Sequence, residues 1–310
     1  MANKIIFMGT PLFCVPILKS LYQNGYNISV VFTQPPQKSH RGQKINKSPI
    51  QGISETLNID YRTPKTFKDN RVEYEFLKEL NADLAIVCAY GQIIPENFLN
   101  LTKKGFVNIH ASILPSWRGA APIQRSIMNL DPETGISIMK IKKELDSGPV
   151  SNIYKIKIDQ NQNAQEISEK LSALAAEKIL DNVDDILEDK AKFIDQDHSK
   201  ATYAKKIDKE ESRIDWDEDA SKIIGKINGL FPSPGASFSF NGERYKILKA
   251  EIGNGIGQVG EIISNQLEVA CNKNQSIKIL EIQRQGKRPQ KISEFMLGSQ
   301  IKKGSKLSNV

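Results

Sequence analysis

The chain has 310 residues, of which 39% are hydrophobic and 25% charged, and it carries a formal net charge of +7 with a mean hydropathy of −0.40. No run approaches the ~18 uninterrupted apolar residues of a membrane helix. The opening Ile5-Ile6-Phe7-Met8 is too short for a signal-peptide core, so a cytoplasmic globular protein with room for two domains is expected. Cys14, Cys88 and Cys271, like His40, His110 and His198, are dispersed, which leaves no disulfide framework and no metal-ligand spacing.

In chain order, the first half alternates short apolar runs with amphipathic stretches, the pattern of βα units on a mostly parallel sheet. A strand is expected at 4–8, followed by the turn Gly9-Thr10-Pro11 and a helix whose apolar face is Leu12, Val15, Ile17, Leu18 and Leu21. A second strand at 29–33 runs into a polar, basic loop that holds His40, Arg41 and Lys44. A helix restarts at Ser48-Pro49, a capping residue followed by proline in the first turn. Further strands are expected at 84–89, 106–110 and 136–141, with helices at 121–128 and 167–187.

Residues 189–208 are polar and thinly apolar, as a linker would be, and separate a domain of residues 1–188 from one of residues 209–310. In the second, a helix at 219–230 precedes five short strands at 236–240, 245–252, 260–263, 267–270 and 277–282. That density suggests an OB-like β-barrel. Gly253 to Gly260 follows a late strand and opens no helix, so it reads as a loop and not as a nucleotide fingerprint. Charge is divided unequally. Residues 221–310 contain 14 Lys and Arg against 6 acids, a balance of +8, while the first 220 residues carry −1. A basic end points to a polyanionic partner.

The densest candidate chemistry lies from Asn108 to Pro122. Asn108 and His110 sit two apart on a strand, share a face, and emerge at its carboxyl end, where ligands of open α/β sheets bind. An amide beside an imidazole can hold the charge that develops on a carbonyl oxygen. Asp146, in Leu145-Asp146-Ser147-Gly148-Pro149, adds a carboxylate suited to proton transfer. Such a set fits acyl transfer to nitrogen by direct attack of the amine. No covalent nucleophile stands out, because Ser112 lacks a G-x-S-x-G elbow and Cys88 has no basic setting. Taken singly, a histidine placed like His110 is more often a hydrogen-bonded structural residue and an aspartate placed like Asp146 more often an Asx-turn former, while Arg41 and Lys44 also fit a solvated loop.

The segment Asn108 to Gln124, together with Ile6-Phe7-Met8-Gly9-Thr10-Pro11, Thr33-Gln34-Pro35, Ala89-Tyr90-Gly91-Gln92, Leu145-Asp146-Ser147-Gly148 and Arg213-Ile214-Asp215-Trp216, resembles the folate-dependent formyltransferases nearly end to end. The Ser116-Trp117-Arg118-Gly119 run and the C-terminal half are similar to those members that formylate methionyl-tRNA. The resemblance implies a Rossmann-like catalytic domain, 10-formyltetrahydrofolate as donor, initiator methionyl-tRNA as acceptor, and no metal. It further implies that Asn108, His110 and Asp146 are catalytic. Ser112, Ile113, Leu114 and Pro115 would line the folate site, with the backbone of Val87, Cys88, Ala89 and Tyr90 at the pteridine. Arg41, Lys44, Lys287 and Arg288 would contact tRNA. Leu12 and Ile113 depart from the usual Asp and Leu of the family pattern.

Two other readings use the same residues. A formyltransferase acting on a small amine would need no +8 terminal region, and an RNA-binding protein without activity would not need the intact trio. A nicotinamide-linked dehydrogenase is disfavoured by Gly9-Thr10-Pro11, which lacks the glycines that admit a pyrophosphate.

Overall fold

A computed structural model describes residues 3–38 and 45–307. Its larger sheet has seven strands in the order Val150–Lys157, Glu133–Lys140, Phe106–His110, Leu84–Cys88, Lys4–Gly9, Asn27–Phe32 and Tyr61–Arg62. Lys4–Gly9 pairs in parallel with both Leu84–Cys88 and Asn27–Phe32, and Leu84–Cys88 with Phe106–His110. Glu133–Lys140 reverses direction beside Phe106–His110. The central strands bury nearly every residue because helices cover both faces, which is why they read as unbroken apolar runs.

Helix starts follow local chemistry. Ser48 caps Pro49–Thr56 by accepting the Gln51 N–H, and Asn70 caps Arg71–Leu80 by accepting the Glu73 N–H. The long helix Ala164–Leu187 buries Ala164, Ile167, Leu171, Ala175, Ile179, Val183 and Ile186, a stripe at spacings of three and four.

The chain divides into two compact units. The first comprises Met1–Gly119, Gly135–Ile156 and Ser168–Tyr203, and the second Ala120–Thr134, Lys157–Ile167 and Ala204–Val310. The second unit is built on an antiparallel sheet ordered Ser237–Phe240, Glu243–Ile252, Gln275–Arg284 and Glu268–Cys271, with Gln290–Lys291 also pairing on Gln275–Arg284. The strand expected at 260–263 is reduced to isolated bridges, Glu261 with Lys306 and Ile262 with Val269. A short helix, Ile292–Gly298, closes the unit and places Phe295 edge-on to Tyr245, whose ring stacks on Phe238. Trp216 is fully buried in the same core.

Glycines set two close approaches here. Gly225 and Gly229, one turn apart on the helix Ala220–Leu230, lie against the segment of helix Pro122–Met128. A Cβ at Gly229 would meet Met128 Cγ at 2.6 Å, and one at Gly225 would meet Leu130 Cδ2 at 2.8 Å. The glycines of 253–257 close over the Glu268 carboxylate, which accepts from the Asn254 and Gly255 N–H groups and from Ser276 Oγ. This loop is an internal clasp.

Candidate active site

Strand Phe106–His110 alternates its side chains, so Val107 and Ile109 face one side while Asn108 and His110 share the other. His110 is buried, and its Nε2 lies 2.9 Å from the Trp117 carbonyl oxygen. A carbonyl only accepts, so Nε2 carries the hydrogen. The other ring nitrogen, Nδ1, faces Asp146 Oδ2 at 3.6 Å. That is an ion-pair separation, longer than a direct hydrogen bond. The half-buried Asn108 amide forms no hydrogen bond with a protein group among the described residues, which leaves its donors for a ligand.

Asp146 sits in a left-handed backbone conformation, φ 46°, between strands Glu133–Lys140 and Val150–Lys157. Its Oδ2 accepts the Gly119 N–H at 2.8 Å, and its own carbonyl accepts from Gln196 Nε2 at 2.9 Å. Gly119 has φ 120°, a conformation that suits glycine. Thus the end of the Trp117-Arg118-Gly119 run grips the carboxylate while Trp117 grips the imidazole. Asn108, His110 and Asp146 come together on one side of one strand end.

The residues expected to line the folate site follow directly. Ser112 is fully buried, and its hydroxyl donates to the Ser116 carbonyl at 2.6 Å. Ser137, opposite His110 on the neighbouring strand, donates to the Ser112 carbonyl at 2.7 Å and accepts the Leu114 N–H at 3.1 Å. Ser137 carried no sequence signal beyond its place in a strand. Leu114 packs with Met139 and Val150, Ile113 is half-buried, and the Leu114–Pro115 peptide is cis.

At the end of Leu84–Cys88, Val87 and Cys88 are buried while Ala89 is exposed with φ 43°. The Cys88 carbonyl accepts from Cys14 Sγ, and the Tyr90 carbonyl from Thr10 Oγ1 and Gln34 Nε2. The Cys14 contact and burial push the Cys88 thiol well above its ordinary pKa, so it is no nucleophile. Burial, with the Glu73 charge adding to it, raises Tyr90, whose hydroxyl stays neutral.

Of the residues assigned to tRNA contact, Arg41 and Lys44 lie outside the described residues. Lys287 and Arg288 are exposed in the turn after strand Gln275–Arg284, which is held by Gln283 Nε2 donating to the Lys287 carbonyl and by Gly286 at φ 75°.

Comparison with known proteins gives a consistent result. Residues 3–183 match the formyl transferase family and residues 206–300 the formyl transferase C-terminal domain. The chain is 66% identical to methionyl-tRNA formyltransferase of Pelagibacter ubique over 310 residues, covering 100% of both chains. It is 39% identical to the methionyl-tRNA formyltransferase of Mesorhizobium japonicum, over 99% of this chain and 100% of that one. Its fold is similar to the N-formyltransferase from Helicobacter canadensis, solved with folinic acid and dTDP-3-aminofucose, at a TM-score of 0.70 and 19% identity, over 92% of this chain and 100% of that one. The chain belongs to the methionyl-tRNA formyltransferase family.

Proposed function

We propose that this chain moves the formyl group of 10-formyltetrahydrofolate to the free amino group of methionyl-initiator tRNA. The methionine nitrogen attacks the formyl carbon, the carbon–nitrogen bond to the new amide forms, and the bond to the folate N10 breaks. Charge gathers on the formyl oxygen, where the Asn108 amide holds it together with His110 as imidazolium, through the Nδ1–H that the Trp117 carbonyl does not take. Once it has attacked, the now cationic nitrogen loses its proton to Asp146, directly or through water, and N10 takes up a proton as it departs.

The observation that carries this reading is the convergence at one strand end. An amide with no hydrogen bond to a protein group among the described residues and a buried imidazole share a face, with a carboxylate oxygen 3.6 Å from Nδ1. Ile113, Pro115 and the exposed Ala89 after strand Leu84–Cys88 would line the folate, with Ser112 and Leu114, buried behind them, supporting that wall. The names of the full-length relatives support tRNA as the acceptor. So does the +8 balance of residues 221–310, which a small-amine acceptor would not require. No helix among the described residues is long and apolar enough to cross a membrane, in keeping with a cytoplasmic enzyme.

The test is incubation with 10-formyltetrahydrofolate and methionyl-tRNA, following N-formylation, in parallel with free methionine and an aminosugar nucleotide. Formylation of the charged tRNA alone is expected. Preference for a small amine would overturn the assignment of the acceptor.

A further inference from the structure

Residues 194–202, in a polar stretch that sequence reading treats as linker, bind both catalytic loops of their own unit. Ile194 exchanges backbone hydrogen bonds with Val150, just beyond the Asp146 loop. Thr202 Oγ1 accepts the Trp117 N–H at 2.8 Å, and the Thr202 carbonyl accepts the Arg118 N–H at 2.8 Å. Between them lies Gln196, which is buried.

The chemistry of Gln196 is fixed on both sides. Arg118 donates to its Oε1 from Nε at 3.1 Å and from Nη2 at 2.7 Å, and a guanidinium has no acceptor to offer. Gln196 Nε2 donates to the carbonyls of Asp146 and Gly148 at 2.9 and 2.7 Å, and carbonyls have no hydrogen to offer. The side chain therefore has one allowed orientation. Arg118 is itself buried, donates also to His198 Nδ1 at 3.1 Å, and has no carboxylate partner among the described residues. Its remaining role in the network is to hold Gln196.

We infer that Gln196 is a positioning residue for Asp146, with Arg118 orienting it. Asp146 occupies a left-handed backbone conformation, which aspartate tolerates at a cost and which hydrogen bonds to the loop help to hold. Two hydrogen bonds from one amide nitrogen clamp the carbonyls on either side of Ser147 and so fix where the carboxylate points. This inference rests on Asp146 acting in the reaction.

Gln196→Glu isolates the clamp in the full chain. The carboxylate keeps an acceptor for Arg118 but places an acceptor against the two loop carbonyls. The expected result is a folded protein with a melting temperature lower by no more than a few degrees, an unchanged folate dissociation constant, unchanged KM for both substrates, and a kcat lower by about 10- to 100-fold. Asp146→Ala and the double variant complete a cycle. Because Gln196 acts only through Asp146, the double variant should be no slower than Asp146→Ala alone.

Wild-type kcat in Gln196→Glu, with Asp146→Ala inactive, would overturn the clamp. So would a double variant whose loss is the product of the two single losses. Full activity in Asp146→Ala would instead overturn the role of Asp146, and the clamp with it. Should Gln196→Glu fail to fold, Gln196→Met, which is similar in size and lacks both charge and donor, takes its place in the same cycle.

Discussion

The carbonyl oxygen of Lys140 lies where a Cβ on Gly148 would have to go, 1.8 Å from the ideal position. The loop bearing Asp146 is thus pressed against the end of the strand it leaves, and Pro149 completes the contact by accepting the Lys140 N–H. Gly148→Ala must push the loop outward. We expect a stability loss of about 1–3 kcal/mol from overpacking. A fall in kcat of about 100-fold should follow as the carboxylate moves from its partners. Unfolding curves and single-turnover rates check this together, and a variant with wild-type kcat would show that the loop tolerates displacement.

Much of this site was legible before the fold was known. Asn108 and His110 fall two apart on an apolar strand, and that alone places them on a shared face, here at the strand's carboxyl end. The aspartate loop announced itself through Asp146-Ser147-Gly148, although the reason for the glycine needed Lys140. Gln196 was invisible, because a glutamine in a polar stretch has no periodicity and its partners are backbone carbonyls fifty residues earlier. The helix Arg71–Leu80 was missed for a related reason. It buries only Leu77 and Glu73, and Glu73 is inside because Arg62 pairs with it through both Nε and Nη2. A helix that turns a carboxylate inward shows little apolar stripe.

Replacing Asp146 by asparagine separates charge from geometry. The new side-chain oxygen can still accept the Gly119 N–H, so the loop should hold its position and the melting temperature should stay near that of the wild type. What disappears, on the proposed mechanism, is the acceptor for the amine proton. A fall in kcat of about 10²–10⁴ is expected, the usual range for loss of general base catalysis, with folate affinity unmoved. Weakened folate binding in Asp146→Asn would mean that the carboxylate serves the ligand and not the proton.

Lys287 and Arg288 give the clearest test of whether the basic end meets RNA, since both are exposed in a turn whose backbone is held by Gln283 and Gly286. Neither supports the core, so alanine at either should fold normally. If each meets one phosphate, the double variant should raise KM for the charged tRNA while kcat at saturation is kept. The slope of log affinity against log salt should shrink by about 1 per side chain. An unaltered slope would remove these two residues from the interface. Point variants suit this question better than cutting at 208, because the second unit includes Ala120–Thr134 and Lys157–Ile167, which a truncation would strip of their packing partners.

Arg125 and Glu211 predict how acid acts on the second unit. Arg125, on helix Pro122–Met128, meets both carboxylate oxygens at 2.5 and 2.9 Å and also donates to the carbonyls of Lys205 and Lys206. Its hydrogen bonds are the main reason that the Glu211 carboxyl lies below its ordinary 4.5, with burial opposing and the Asp208 N–H assisting. A depressed folded-state value means that the pair stabilises the unit above the unfolded pKa and that this contribution is lost as pH falls through the folded one. Because both groups remain partly open to solvent, the effect should be modest, about 1 kcal/mol or less. Glu211→Gln should therefore melt below the wild type near neutral pH, and the gap should close on acidification below 4.5. Thermal melts of the two proteins across that range decide it. A gap of constant size from neutral to acid pH would assign the loss to packing around the side chain, with the carboxylate charge playing no part.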